Sequence, residues 1–402
     1  MSELSYMEKL LDGAEVEWKK LGDVATLQRG RVMSKGYLNE NPGKYPVYSS
    51  QTANNGKIGS IDTFDFEGEY VNWTTDGANA GTVFYRTGKF SITNVSGLIK
   101  INDTLNLNYK YLFYWLSTEA KKHVYAGMGN PKLMSNQVAK IPIAIPPIRV
   151  QNEIVRILDT FTELTAELTA ELTAELTARQ QQYVYYRDQL LTFEEGEVQH
   201  LPMGTKGVGE FVRGKGLQKK DFTNAGVGCI HYGQIYTQYN TYAYKTQSFV
   251  SSEFAEKARK AQQGNLIIAT TSENDEDLCK AVAWLGSEEI AISNDACIYK
   301  HTLDPKFVSY FFQTGQFQKQ KRQYITGTKV RRVNADNLAK IKIPVPSMLE
   351  QKRIVSILDK FDTLTTSLTE GLPREIELRQ KQYEYYRDLL LSFPKPEVVA
   401  HD

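Results

Sequence analysis

The apolar residues of two segments recur at spacings of three and four, the rhythm of one buried helical face. One segment runs from Gln151 to Phe193 and the other from Gln351 to Phe393. A helix of about 40 residues at 1.5 Å per residue is about 60 Å long, too long to bury this face in one small domain. The pattern therefore predicts two long helices that pair antiparallel as a coiled coil. The first face is carried by Ile154, Leu158, Phe161, Leu164, Leu168, Leu172 and Leu176.

The two segments are copies of one sequence. At an offset of 200 residues, and without a gap, 24 of 43 positions are identical. The copy continues upstream through residues 139–141 and 339–341, and residues 6–11 echo residues 186–191 at an offset of 180. An internal repeat of this kind predicts two tandem half-units related by a pseudo-twofold axis, with the N-terminal fragment completing the second half circularly.

Three consecutive TAEL units occupy Thr165–Leu176. A period of four residues advances 400° around an α-helix, so the leucine line drifts by about 40° per unit. The units are either a solvated face of a spacer helix or a device that sets the separation of the two halves, at about 6 Å per unit. In the second copy Gly371 and Pro373 interrupt the pattern, and we expect a kink or a frayed turn there.

The blocks that precede each helix carry short β-type runs broken by Asn and Gly, followed by an aromatic helical stretch. The fold class predicted is α+β: two mixed α/β globular domains separated by the two paired helices. The predicted division is residues 1–150, helix 151–193, residues 194–349, helix 350–393 and a tail, 394–402. The runs are residues 45–50, 70–75, 81–85 and 97–101, then 264–271, 281–285 and 296–299, and the aromatic stretches are residues 109–116 and 307–312.

Composition narrows the possible partners. A chain of 402 residues with 41% hydrophobic residues can build two or three domains. Residues 151–195 carry three basic and nine acidic residues, whereas the flanking blocks are mildly basic, which hints at a polyanion partner for the blocks and a protein partner for the acidic segment. No run of 18 apolar residues occurs, and three cysteines without metal-type spacing argue against a disulfide framework. We expect a soluble cytoplasmic protein with no membrane contact.

The loops of both blocks are rich in the side chains that contact base edges and phosphates. The run Lys319–Arg332 holds six basic and no acidic residues in 14 positions, as a phosphate-neutralising patch would require. For any single loop the alternative is an ordinary polar turn. We predict DNA contacts from Arg29, Arg31, Ser50, Gln51, Asn54, Asn55, Lys57, Thr74, Asn79, Lys132, Arg213, Lys215, Lys219, Lys220, Thr271, Ser272, Lys329, Arg331 and Arg332.

Sequence signatures of catalysis are absent. The chain has no GxGxxG or GxxxxGK[ST] phosphate loop, no HExxH, no Cys–His cluster and no GxSxG elbow. Its five histidines are scattered, and the acidic residues of the 273–277 loop are either solvated or acceptors for a cytosine amino group. We therefore predict no catalytic residue and no metal site in this chain.

Three motifs together carry a family resemblance: Q..IV.ILD.F at the start of each helix, YYRD.LL.F at its end, and the TAEL tandem. In these features the chain resembles the specificity (S) subunits of type I restriction-modification enzymes, in the branch with TAEL repeats. The resemblance implies two target recognition domains that read the halves of a bipartite asymmetric site in double-stranded DNA. It implies that the helices fix the spacer and dock two modification (M) subunits, which restriction (R) subunits join. It also implies that S-adenosylmethionine, ATP and Mg belong to those partners, so that the chain itself is not an enzyme.

Residues on the helices are the candidates for partner docking. The glutamates form an acidic ridge of like charges four residues apart, and the Tyr-Tyr-Arg triplet ends both copies. Two other functions stay open: a structural coiled-coil adaptor without DNA binding, and a self-contained DNA methyltransferase. The candidate docking residues are Glu163, Glu167, Glu171, Glu175, Tyr185, Tyr186, Arg187, Tyr385, Tyr386 and Arg387.

Overall fold

The chain folds into two units that both combine β-sheets with helices. The computed structural model describes residues 6–125, 129–194, 196–366 and 370–394. Unit 1 consists of residues 1–170 with 377–402, and unit 2 of residues 171–376. Both ends of the chain thus belong to unit 1.

Eight strands lie within the described residues of unit 1. They are β1 (Glu17–Lys20), β2 (Ala25–Arg29), β3 (Pro42–Tyr48), β4 (Lys57–Ile61), β5 (Phe66–Thr74), β6 (Val83–Ile92), β7 (Ser96–Ile101) and β8 (Pro142–Ile145). Six of them form one sheet in the order β2-β7-β5-β6-β3-β4, and β1 pairs with β8 in a separate antiparallel ribbon. Its helices are α1 (Tyr6–Leu11), α2 (Leu21–Val24), α3 (Lys35–Glu40), α4 (Tyr109–Glu119), α5 (Ser135–Val138) and the first part of α6 (Ile148–Leu190).

The aromatic helix α4 fills the core of unit 1. Asn108 begins it by accepting hydrogen bonds from the backbone amides of Lys110 and Tyr111. Tyr111 and Trp115 are buried, and their polar atoms are satisfied by strand β8: the Tyr111 hydroxyl donates to the Ala144 carbonyl at 2.7 Å. Because Gln151 accepts from the Asn108 amide at 2.9 Å, the start of α4 is fixed to the start of α6.

In the part of unit 2 that the structure describes there are thirteen strands. They are β9 (Gln199–Pro202), β10 (Gly209–Arg213), β11 (Val227–Ile230), β12 (Tyr242–Ala243), β13 (Ser248–Val250), β14 (Lys260–Ala261), β15 (Leu266–Ala269), β16 (Thr271–Ser272), β17 (Ala281–Trp284), β18 (Ile290–Ile292), β19 (Ala296–His301), β20 (Arg331–Arg332) and β21 (Lys342–Val345). Two sheets have the orders β10-β19-β15-β17-β12 and β13-β11-β18-β14, and two ribbons pair β16 with β20 and β9 with β21. The helices are α7 (Tyr232–Thr237), α8 (Ser252–Lys257), α9 (Pro305–Phe312), α10 (Gly315–Arg322), α11 (Ala335–Leu338), α12 (Met348–Thr366) and the start of α13 (Leu372–Leu390).

The internal repeat reappears in the local structure of both units. Helix α9 takes the place of α4: Asp304 caps it, and Gln351 accepts from the Asp304 amide at 2.8 Å, as Gln151 does for Asn108. Glu17 faces Ile145 in the β1–β8 ribbon, and Gln199 faces Val345 in the β9–β21 ribbon. The N-terminal fragment therefore supplies to unit 1 the strand that the segment after α6 supplies to unit 2, which is the arrangement that circular completion predicts.

Helix pairing is present within each unit. In unit 1, Phe161 of α6 packs against Tyr386 of α13 with ring centroids 5.7 Å apart, and farther along α6 the residues Leu164 and Leu168 share a groove with Arg379 and Tyr383. The partner residue number falls as the α6 number rises, so the pairing is antiparallel. In unit 2, α6 pairs with α12, since Tyr186 stacks on Phe361 at 5.7 Å.

The second copy of the long helix is divided in two. Helix α12 ends at Thr366 and α13 begins at Leu372, with Pro373 in its first turn. A Cβ atom on Gly371 would lie 2.5 Å from the Thr363 carbonyl oxygen, so glycine allows the chain to pass close to the end of α12. The expected interruption is thus present, although residues 367–369 lie outside the described residues.

Candidate nucleic-acid interface

Four of the loops predicted to contact DNA meet at one edge of unit 1. Arg29 ends strand β2 and donates from Nε to the Asn94 carbonyl at 3.2 Å. The Asp76 carboxylate lies between two cations, 3.7 Å from Arg29 and 3.9 Å from Lys132. Asn79 lies in the same loop as Asp76 and donates to the Ser50 carbonyl at 3.3 Å. This bond joins the loop of Ser50 to the other three. These loops are distant in the sequence, yet they form one polar surface.

The loop before strand β4 has a defined shape. Asn54 and Asn55 adopt left-handed backbone conformations with φ of 50° and 54°, which asparagine tolerates better than most residues. Gln51 closes the loop by donating to the Lys57 carbonyl at 2.6 Å. The Asn54, Asn55 and Lys57 side chains are exposed, so this loop presents polar groups on a fixed backbone.

Thr74 and Arg31 of unit 1 also have structural partners. Thr74 is fully buried and its hydroxyl donates to the Asn79 carbonyl, so it holds the loop rather than facing solvent. Arg31 is exposed and pairs with Asp65 at 3.0 Å. Its hydrogen bond to the Tyr37 hydroxyl, helped by Asp65, raises the pKa of the Arg31 guanidinium.

In unit 2 the predicted loops gather around the turn that precedes strand β19. Arg213 donates from Nε to the Asn294 carbonyl at 3.1 Å, and the Lys215 amide donates to the Ile292 carbonyl at 3.2 Å. The Thr271 hydroxyl lies 3.3 Å from the Asp295 carboxylate. Arg332 is paired with Thr271 across the β16–β20 ribbon, and both line a cavity of about 210 Å³ together with Arg213 and Asp295.

The remaining predicted residues of unit 2 divide into exposed and buried ones. Lys219 and Lys220 lie exposed on a short 3-10 helix, and Lys329 is exposed in the loop before β20. The pKa of His231 is lowered mainly by burial of the ring and also by the nearby positive charge of Lys219. Thr271 and Ser272 are buried and form strand β16 of the ribbon.

The basic run Lys319–Arg332 does not form one uniform patch. Lys321 is buried at 1% exposure, and its ammonium group donates to backbone carbonyls. Arg331 pairs with Asp275 at 2.9 Å, so a distant loop supplies the acidic residue that the run lacks. Of the predicted residues in the run, Lys329 and Arg332 are the exposed cations.

The two loop clusters contain the same backbone module. Asn94 accepts from Arg29 through its carbonyl, and Asn294 accepts from Arg213 in the same way. The amide of Thr75 donates to the Val95 carbonyl at 3.1 Å, and that of Thr270 to the Asp295 carbonyl at 2.9 Å. The sequence prediction missed Asp76, Asn94, Asn294 and Asp295 as members of these clusters. Asn94 and Asn294 lie 200 residues apart, and this offset was the signal that could have identified both asparagines.

The predicted docking residues of the helices also divide by exposure. Glu163, Glu167 and Glu171 are exposed, and Glu175 pairs with Arg179 at 2.7 Å. Tyr185 of unit 2 and Tyr385 of unit 1 are 60% and 64% exposed, and Tyr186 and Tyr386 are 41% and 40% exposed. The two tyrosine pairs thus present the same surface twice.

The arginines of the two Tyr-Tyr-Arg triplets are less exposed than the tyrosines. Arg187 is 8% exposed and pairs with Asp188 at 2.7 Å, and Arg387 makes the same pair with Asp388. Arg187 is therefore less accessible than the two tyrosines of its triplet, and its role in docking stays a prediction.

Comparison with known proteins places the chain in a family. A family model described as the type I restriction modification DNA specificity domain matches residues 14–178 and 203–378. The chain is 35% identical to the specificity subunit of the type I restriction enzyme EcoR124I/EcoR124II of Escherichia coli, over the full length of both. It is 34% identical to a putative type I restriction enzyme specificity subunit of Haemophilus influenzae, over 97% of this chain and 98% of that one. The chain belongs to the type I restriction-modification specificity subunits.

A solved structure supports the fold of this specificity subunit. A chain from a type I R-M system, solved to explain complex assembly and conformational transition, superposes with a TM-score of 0.67 over 94% of this chain and 97% of that chain, at 13% identity. The predicted α+β class with paired long helices is confirmed.

The family also decides the question of catalysis. Specificity subunits are non-catalytic, so the prediction that the chain is not itself an enzyme is confirmed by its family. Within the described residues, no three His, Cys, Asp or Glu side chains are grouped so that they could hold a metal ion. The described helices include none that is long and apolar enough to span a membrane.

Proposed function

We propose that this specificity subunit reads a bipartite asymmetric site in double-stranded DNA, one half with the loop cluster of unit 1 and the other half with that of unit 2. The reading domains are residues 1–150 and 194–349. The observation that carries the proposal is the repeated Arg–Asn module: Arg29 with Asn94 and Arg213 with Asn294 take the same position in two clusters whose other side chains differ. A common frame with unlike side chains suits two readers of unlike sequences.

The chemistry of the clusters supports DNA as the ligand. Each cluster combines exposed cations with amides and a carboxylate held beside an arginine. Cations bind phosphates, whereas amides and carboxylates can distinguish the hydrogen-bonding groups of base edges in the major groove. Asp76 and Asp275 are the groups suited to accept from a cytosine amino group, because an ionised carboxylate offers acceptors alone.

In this proposal the length of the long helices sets the spacing of the two half-sites. Helix α6 is continuous for 43 residues, which is about 65 Å at 1.5 Å per residue. In each unit a lysine and a tyrosine of the aromatic helix bind one aspartate of a long helix: Lys110 and Tyr114 bind Asp159 in unit 1. A reader fixed to a rigid helix converts helix length into half-site spacing, as the interface does in symmetric DNA-binding dimers.

The repeated helix surface supports docking of two identical partners. Type I specificity subunits assemble with M and R subunits. The pairs Tyr185–Tyr186 and Tyr385–Tyr386 have matching exposure, so two M subunits could bind the same surface in the same way. The R subunits join that complex, and S-adenosylmethionine, ATP and Mg are bound by the partner subunits.

The DNA interface is tested by the salt dependence of binding. The assembled modification complex is titrated with a selected duplex at several salt concentrations, for the wild type and for Arg331→Gln/Arg332→Gln. The slope of log K against log salt should fall by about 1 for each phosphate that the variant no longer neutralises. We expect a decrease of about 1, because Arg332 is exposed and Arg331 is already paired with Asp275.

A matched control is Lys257→Gln, which removes an exposed cation from α8 that pairs with Glu253. It should leave the slope unchanged. An unchanged slope in the double arginine variant would show that Arg331 and Arg332 do not neutralise phosphates. Negligible duplex affinity of the wild-type complex even at low salt would contradict the proposal and favour a structural adaptor.

A further inference from the structure

Beneath the exposed side chains of each loop cluster lies one buried cation that binds the backbone of a loop. Arg86, in strand β6, is 2% exposed, and Lys321, in helix α10, is 1% exposed. Neither forms a salt bridge with a carboxylate of the described residues; both donate to backbone carbonyls of a loop in their own cluster. Removing a cation from water without a carboxylate partner is unfavourable unless the protein supplies several acceptors. Two such cations, one in each unit and each bonded to the backbone of a recognition loop, therefore suggest a function.

In unit 1, Arg86 anchors the loop before strand β4. Its guanidinium lies 3.6 Å from the ring centroid of Tyr48 and donates to the Asn55 carbonyl at 2.8 Å. It also donates to the Asn72 side-chain oxygen at 3.3 Å, and Asn72 is itself fixed by donating to the Gly97 carbonyl at 2.8 Å. The Asn55 carbonyl belongs to the left-handed Asn54–Asn55 pair, so the contact holds the backbone at the point where its conformation is least common.

Gly56 completes this arrangement. It has φ of +80°, and a Cβ atom there would lie 3.0 Å from the Arg86 Nη2 atom. The loop is thus packed directly on the guanidinium. Burial lowers the pKa of Arg86 to about 10, which still leaves it charged at neutral pH.

In unit 2, Lys321 anchors the loop between β16 and β17. Its ammonium group donates at 2.7 Å to the carbonyls of both Asp275 and Leu278. The Asp275 side chain on this loop pairs with Arg331, so Lys321 fixes the backbone from which that carboxylate reaches the cluster surface. Helix α10 is itself fixed, because Phe317 is fully buried in the core. Here too a non-glycine left-handed residue, Cys279 with φ of 68°, follows the anchored carbonyls.

We propose that Arg86 and Lys321 are positioning residues for DNA reading, each of which holds one recognition loop by its backbone carbonyls and so sets the base discrimination of one half-site. The inference rests on the proposed function, since the loops must be the readers. It adds that discrimination in the two half-sites depends on two separate buried groups. Neither group touches DNA.

The test compares methylation by the reconstituted modification complex on duplexes that carry the recognised site or a single base change in either half. Arg86→Met should reduce the ratio of rates, cognate over changed, by about tenfold for one half-site, and leave the ratio for the other half-site within about twofold. Lys321→Met should give the converse result. Arg86→Lys keeps the charge and should recover part of the discrimination, and Lys257→Met is the matched exposed control.

The outcomes separate this inference from the proposed function. If the wild-type complex does not discriminate in two half-sites, the proposed function fails. If it does, and the folded Met variants alter both half-sites equally or neither, the positioning role is wrong. If Arg86→Met does not fold, Gly56→Ala replaces it, because it retains the cation and disturbs only the loop conformation. That variant must then lower discrimination in the same single half-site, and unchanged discrimination would overturn the inference.

Discussion

A change in the number of TAEL units tests the helix as a spacer. Insertion of one further unit after Leu176 lengthens α6 by four residues, which is about 6 Å and a rotation of about 40°. Duplex DNA rises about 3.4 Å per base pair, so the added length corresponds to about 1.8 base pairs. The added rotation corresponds to about 1.1 base pairs at 10–10.5 base pairs per turn. We therefore expect the unspecified spacer to grow by one or two base pairs.

The assay is sequencing of modified bases in cells that produce the variant with its partner subunits. Both half-site sequences should stay as in the wild type, because the insertion changes no residue of either loop cluster. An insertion of four residues beside the exposed Leu105 lengthens the chain equally without lengthening α6, and should leave the spacer unchanged. An active TAEL insertion with an unaltered spacer would refute the reasoning.

Three further predictions concern stability and assembly. Burial lowers the pKa of His301 to about 4, whereas the pKa of an unfolded histidine is near 6.5. The free energy of unfolding should therefore fall as the pH drops below 6.5, by about 2 kcal/mol at pH 5. His301→Gln should abolish this pH dependence when unfolding is measured at several pH values. Asp359→Asn should destabilise more than Asp159→Asn in thermal unfolding, by about 2 against about 1 kcal/mol, because the lysine partner of Asp359 is 17% exposed and that of Asp159 is 40% exposed. Charge reversal at Glu167 and Glu171 should weaken assembly with the M subunits in sedimentation at low salt.

Each of these predictions has a contradicting result. An identical pH profile for wild type and His301→Gln would show that folding does not lower the pKa of this ring. Equal losses of stability for the two Asp→Asn variants would mean that burial of the ion pair does not govern its contribution. Unchanged assembly of the charge-reversed chain would leave the tyrosine pairs as the docking surface.

Periodicity predicted the helices because their signal is local. The leucine and aromatic spacing of the first copy predicted a helix over Gln151–Phe193, and α6 runs from Ile148 to Leu190. The aromatic stretch at residues 109–116 became α4. Burial is uneven along this face, since Ile154 and Leu158 are fully buried, Leu164 is 55% exposed, and the TAEL leucines are half-buried.

Sequence patterns could not predict the contacts between segments that are distant in the chain. The run Lys319–Arg332 reads as a uniform basic patch because counting charges along the chain does not reveal Asp275, which neutralises Arg331 from another loop. Lys321 reads as a surface cation, yet three-dimensional packing buries it. Asp76 was missed for the same reason, because its partners Arg29 and Lys132 lie 47 and 56 positions away in the sequence.

Site-specific photo-crosslinking tests most directly whether each unit reads its own half-site. A photoreactive residue is placed at exposed Lys132 in the cluster of unit 1 or at exposed Arg332 in that of unit 2, and the crosslinked bases are mapped on one duplex that carries the recognised sequence. The two probes should label different half-sites, separated by the spacer. Labelling of the same half-site by both probes would contradict the account.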